Sequence, residues 1–229
     1  MQPRFLGQLG VADLVTATNA ALGFAAVAAA TVDPELAARL ILLAAIADGL
    51  DGVIARIRGG TPVGPLLDSL ADVASFGVAP ATLVYVVATD GGAVGFGSPF
   101  LVAALVVPAL YVSMAVIRLA FYMVHDSDRP ETEGVQTTLA ATVLSVAYLA
   151  GIGDPTILVG LTALFAYLMV ASITYPDLYA SDAVILGGLQ ALAIAFPTAV
   201  NRMFPRSLLL FALAYLVLAP FLYWRKTDD

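Results

Sequence analysis

The sequence predicts an all-α, polytopic bundle of about eight transmembrane helices, built as one domain over residues 1–229. Three observations carry that prediction. Hydrophobic residues fill 61% of the 229 positions and charged residues only 12%, against ~45–50% and about 25% in soluble domains. Mean hydropathy is +0.94. Apolar runs also recur along the whole chain, so a removable leader does not account for them.

About 20 apolar residues cross ~30 Å of hydrocarbon as a helix. Eight runs qualify as candidates: 13–31, 35–57, 66–88, 99–124, 136–152, 155–172, 183–200 and 206–223, the fifth and sixth being short. Before the first, "MQPRFLGQLGVADL" mixes Phe5, Leu6 and Leu9 with Gln2, Arg4 and Gln8, which fits either an interfacial segment or an irregular terminus. The breaks between runs carry turn chemistry: "VDPE" at 32–35, "RGGTPVGP" at 58–65, "TDGGAVGFGSP" at 89–99, "GIGDP" at 151–155 and "NRMFPR" at 201–206. His125, Asp126, Asp128 and Arg129 read as a solvated loop after the fourth run. Glu133, Gln136, Thr137 and Thr138 either cap the fifth helix or face a site. Gly187–Gly188 is expected at a close helix contact, and Arg202 and Arg206 at lipid headgroups.

Basic residues orient the chain. Arg4, Arg56, Arg58, Arg129, Arg225 and Lys226 fall on one side with Arg118 near them, and Arg39, Arg202 and Arg206 on the other. Both termini are therefore expected in the cytoplasm of a multi-pass cell-membrane protein. The absence of cysteine excludes disulfides and thiolate metal sites, and a lone His125 leaves little for zinc or haem. A net charge of −7 argues against nucleic-acid partners. One lysine against nine arginines, in an acidic chain, is compatible with a salt-adapted source.

The stretch "IADGLDGVIARIRGGTPVGPLLDSLADVASFG" holds Asp48, Asp51, Asp68 and Asp72 among apolar residues. A carboxylate near the bilayer centre costs ~2.5–3.5 kcal/mol on insertion scales, so four together require cations. Asp48 and Asp51 are three apart and Asp68 and Asp72 four apart, so each pair shares a helix face. The short glycine- and proline-bearing turn between them predicts antiparallel neighbouring helices whose carboxylates converge. Two divalent ions of the oxygen-ligated kind, magnesium or manganese, would balance the charge, and such a pair clamps phosphate oxygens for in-line displacement. Gly49, Gly52, Ala55, Gly59, Gly60 and Gly64 leave room for a nucleotide diphosphate, with Arg56 as a fixed cation. The site is expected at the cytoplasmic ends of helices two and three.

Asp48, Asp51, Gly52, Ala55, Arg56, Gly64, Asp68 and Asp72 meet every fixed position of a known signature, with seven residues between Arg56 and Gly64. By it the chain resembles the CDP-alcohol phosphatidyltransferase family. "DSLADVASFGVAPA", "RLAFY" from Arg118, and Thr16, Asn19 and Gly23 in "TATNAALGF" are similar to its phosphatidylserine and archaetidylserine synthase branch. Where that branch reads Gly-Leu-Pro, this chain has Gly134, Val135 and Gln136.

The resemblance implies transfer of a phosphatidyl or archaetidyl group from a CDP-activated lipid to a small hydroxyl acceptor, serine being favoured, with release of CMP. It implies one magnesium or manganese ion on Asp48, Asp51 and Asp68 and a second on Asp48, Asp68 and Asp72. Asp72 would be the general base, and Gly52, Arg56 and Thr61 nucleotide contacts within a site that Ala55 and Gly64 help shape. It also implies a homodimer. Asn19 is either helix–helix glue or a nucleotide contact. Arg118 either snorkels to the interface or grips the acceptor's carboxylate or a phosphate. The alternatives are another acceptor, such as inositol phosphate or glycerol phosphate, or an ion-coupled transporter, which leaves the glycine and arginine spacing unexplained.

Overall fold

Each predicted apolar run becomes one helical rod. The computed structural model describes residues 6–89, 98–125, 131–176 and 180–223. After a short 3₁₀ turn at Leu6–Gln8, the rods are α1 (Val11–Ala30), α2 (Pro34–Arg58), α3 (Gly64–Asp72) running through a π-helical turn (Val73–Val78) into α4 (Ala79–Thr89), then α5 (Pro99–His125), α6 (Thr137–Leu149), α7 (Pro155–Leu168), α8 (Ala180–Ala195) and α9 (Ala199–Leu222). Two three-residue strands, β1 (Glu131–Glu133) and β2 (Thr174–Pro176), pair antiparallel. Arg4, Arg129, Arg225 and Lys226, Asp126 and Asp128 of the expected solvated loop, and most of the 89–99 break lie outside the described residues.

Local chemistry sets the turns. Asp33 caps α2 by accepting from the Leu36 amide at 3.0 Å, with Pro34 in the first turn where its missing N–H is harmless. Asp154 does the same for α7, accepting from Thr156 and Ile157 ahead of Pro155. Gly134 has φ +76°, and a Cβ there would lie 2.2 Å from the Met169 carbonyl oxygen. Only glycine fits that crossing of β1 and the end of α7.

Four rods among the described residues are long and apolar enough to cross a membrane: Val11–Ala30, Gly64–Thr89, Pro99–His125 and Ala199–Leu222. The expected eight rods are present; α2, at 25 residues, is long enough to span but carries several charged residues within the run. α6, α7 and α8 have 13, 14 and 16 residues, short of the ~20 that span hydrocarbon. α6 is the central post: Ala140, Ala141, Val143, Leu144, Val146, Ala147 and Leu149 are all fully buried, as expected of a helix that is apolar on every side.

Other expectations are refined, and one is corrected. The break assigned to 201–206 begins earlier, at 196–198, and continues as a kink at Val200, Asn201 and Arg202, whose angles are left-handed, before the regular part of α9. Arg202 and Arg206, expected at lipid headgroups, also have partners within the bundle. They donate to the Leu149 and Ala150 carbonyls (2.7 and 3.3 Å) at the end of α6, satisfying groups the helix leaves unpaired. Gly187 and Gly188 sit at no close contact; a Cβ on either would meet nothing within 4 Å.

The tight contact lies instead at Gly23 in α1, where a Cβ would approach the Ser75 backbone to 2.8 Å. Ser75 in the π turn donates to the Asn19 carbonyl at 2.9 Å, which ties the two backbones together. Gly23→Ala is expected to cost about 1–3 kcal/mol through overpacking, read as a lowered melting temperature in detergent, with transfer activity falling as α1 is pushed off the π turn.

Candidate active site

The carboxylates converge as their spacing predicts, but through a third helix. α1 packs on both α2 and α3, whose own backbones make almost no close approach. The expected antiparallel pairing is met further along the same rod, where the π turn and α4 pack on α2; at the carboxylates α2 and α3 part into a cleft lined by α1. Into it Asp48 projects from α2, and Asp68 and Asp72 from α3, with one oxygen of each lying within 4.8 Å of the others. Oδ1 of Asp68 is buried without a hydrogen-bond partner. A buried carboxylate oxygen so placed, in a set of hard oxygen donors, fits a divalent cation.

Asp51 stands beside this trio rather than in it. Its Oδ2 accepts from the Thr16 hydroxyl of α1 at 2.5 Å, and it lies within electrostatic range of Asp48 and Asp68. Asn19, fully buried, donates to Asp72 Oδ1 at 3.5 Å. This bond links α1 to the expected base on α3. The π turn begins directly after Asp72, and Tyr111 of α5 donates to the Phe76 carbonyl at 2.9 Å within it. Irregular turns of this kind are frequent at functional sites.

At the nucleotide end, Gly52 is half-buried and Arg56 exposed. A Cβ on Gly52 would lie 3.7 Å from Arg56 Nη1, an ordinary contact distance, which places the guanidinium back over Gly52. Thr61 donates to Asp13 of α1 at 2.9 and 3.1 Å, and the Gly10 amide donates to the same carboxylate at 2.7 Å. A Cβ on Gly64 would lie 3.4 Å from it. Ala55 sits half-buried one turn from Asp51. Asp13 fastens the α2–α3 turn to α1. Sequence reasoning missed it, although it is the only acid in the first apolar run.

Thr138 resolves the choice between capping and facing the site. Its hydroxyl donates to Asp48 at 3.5 Å, while Gln136 occupies the N-cap of α6 with no side-chain capping bond. Arg118 does not snorkel. Only 8% exposed, it donates to the Thr132 hydroxyl of β1 at 3.2 Å, lies over the Tyr122 ring at 5.2 Å and is within electrostatic range of Asp72.

An integral helical bundle with a carboxylate cluster, a glycine-lined cleft and an adjacent arginine defines a membrane phosphotransferase-type site. The CDP-alcohol phosphatidyltransferase family model matches residues 9–224, and the chain belongs to that family. It is 33% identical over 173 residues to the archaetidylserine synthase of Methanothermobacter thermautotrophicus, covering 73% of this chain and 70% of that protein. It is 32% identical over 178 residues to the CDP-diacylglycerol–serine O-phosphatidyltransferase of Helicobacter pylori strain J99, covering 72% and 71%. The Saccharomyces cerevisiae enzyme of the same name is 34% identical over 159 residues, covering 61% and 54%.

Chelation with EDTA is expected to abolish CMP release, and magnesium or manganese to restore it. Substituting Thr16→Val, which strips the hydrogen bond orienting Asp51, should weaken manganese binding by about 10–100-fold, measurable by electron paramagnetic resonance of the free ion.

Proposed function

We propose that the protein transfers a phosphatidyl or archaetidyl group from a CDP-activated lipid to the hydroxyl of serine, releasing CMP, with its site at the cytoplasmic face of the membrane. The observation that carries this reading is the convergence of Asp48, Asp68 and Asp72 next to an apolar cavity, which Thr138, the partner of Asp48, lines together with Arg56. That cavity, about 690 Å³, lies between α2, α6, α8 and α9. Arg56, Gln136 and Thr138 mark its polar end, and Leu50, Leu139 and Leu208 are among its apolar walls. A diphosphate held at the cleft would send its hydrocarbon chains into this space.

The residues then divide the work. Arg56 and the bare backbone at Gly52 receive the nucleotide diphosphate. Asp48, Asp51 and Asp68 would hold one divalent ion and Asp48, Asp68 and Asp72 the other; when bound, these ions supply charge neutralisation to the diphosphate and the in-line displacement. Asp72, oriented by Asn19, takes the proton from the acceptor hydroxyl. The acceptor oxygen forms a bond to the phosphorus nearer the lipid, the phosphoanhydride bond breaks, and CMP leaves with its electron pair. Arg118 grips the acceptor's carboxylate, which supports serine over acceptors that lack one. A homodimer, as the family resemblance implies, is part of the same reading.

Asp72→Asn keeps the shape of the side chain but accepts no proton. It is expected to lower kcat by at least ~100-fold while CDP-lipid binding changes only a few fold, and near-normal turnover would remove Asp72 from the base role. Arg118→Lys loses the two-pronged grip of a guanidinium. KM for serine should rise by about tenfold or more with KM for CDP-lipid little changed; equal effects on both would place Arg118 on phosphate or in a purely structural role.

A further inference from the structure

The Arg118 side of the site has a cavity of its own. It measures about 380 Å³, within the range of small-molecule sites, and is lined by Arg118, Phe121, Tyr122 and His125 of α5, Glu133 of β1 and Met169 to Ser172 beyond α7. Among the described residues its lining carries one arginine and one glutamate, in different settings. Arg118 is buried and pinned by Thr132, whereas Glu133, the next residue along β1, is exposed on the other face of the strand. The strand is held in place by the β2 pairing, by the Gly134 amide bond to the Ile173 carbonyl (2.8 Å) and by the Val135 amide bond to the Leu168 carbonyl (3.0 Å). The strand that carries Thr132 and Glu133 is therefore fixed by backbone structure.

The geometry points to Glu133 as the group that receives the ammonium of an α-amino-acid acceptor, making this cavity a zwitterion site that sets acceptor specificity. The inference rests on the serine reading above and extends it from the carboxylate to the amine. A buried cation beside Asp72 and an anion at the rim match the two charges of an amino acid, and they leave its side-chain hydroxyl to face Asp72. The same pair disfavours the competing acceptors. A neutral polyol would satisfy neither charge, and a phosphorylated one would bring its dianion against Glu133, a like-charge juxtaposition that acts as repulsive selection.

The test compares serine with 3-hydroxypropanoate, which keeps the hydroxyl and carboxylate but lacks the amine. Purified wild-type, Glu133→Gln and Glu133→Asp proteins are assayed for CMP release with CDP-archaeol or CDP-diacylglycerol. In the wild type, kcat/KM should favour serine strongly. Glu133→Gln should raise KM for serine roughly tenfold, as loss of a charge-assisted hydrogen bond predicts, with KM for CDP-lipid held within about twofold, and should shrink the serine preference by about the same factor. Glu133→Asp should recover part of both effects. An unchanged serine preference in Glu133→Gln overturns the proposal, as does a loss of stability in both variants with the preference intact. If the wild type releases no CMP with serine, the serine reading itself falls, and this proposal with it.

Discussion

Like charges gathered in an apolar bundle are the constraint on which the rest of this structure depends. Carboxylate oxygens within 4.8 Å of one another repel by about 3–4 kcal/mol per ionised pair at an effective dielectric near 20, and burial adds several kcal/mol per ion. Helix packing of small residues does not cancel terms of that size. They are tolerated where cations enter, which is why the cluster lies in a cleft and why one oxygen of Asp68 is left without a protein partner. The cost is a standing affinity for divalent cations and for the diphosphate they bind.

Holding mutually repelling groups in place requires a scaffold, and α1 is that scaffold. From one helix, Asp13 fastens the α2–α3 turn, Thr16 fixes Asp51 and Asn19 reaches Asp72. Gly23 then brings the helix against the π turn that follows Asp72. These contacts run in order along α1, at positions 13, 16, 19 and 23, spacings that keep one face of a 3.6-residue helix toward the cleft. Small residues serve the same end on α2: Ala26 and Ala30 meet Ala37 and Ala38 in one fully buried cluster, allowing the close backbone approach typical of membrane helix pairs.

The site has two unlike flanks. Toward α2, α6, α8 and α9 lies a large, mainly apolar cavity; toward α5 and the β1–β2 pair lies a smaller one with formal charges. Arg56 belongs to the first and Arg118 to the second, and the carboxylates lie between. Such separation suits a reaction joining a lipid to a polar molecule, because each reactant can be desolvated by walls of its own kind before the two meet.

How much of this was legible in the chain follows from the range of the forces involved. Helical rods were readable because hydrophobic length is a local property, and the capped starts of α2 and α7 were readable because Asp33–Pro34 and Asp154–Pro155 act within a few residues. The carboxylate pairs were readable because i, i+3 and i, i+4 spacing fixes a shared face. Tertiary structure alone decided what crosses the chain: that α1 packs on both α2 and α3, that Thr138 turns to Asp48 across 90 residues, and that Arg202 and Arg206 bond the carbonyls at the end of α6. It also decided that Arg118 is buried, since its partner Thr132 lies on a strand too short for any periodic signal, paired with β2 some forty residues away. Sequence determined which groups this protein must neutralise and along which helix faces they lie; the fold determined which neighbours hold them, because hydrogen-bond partners distant in the chain leave no local pattern.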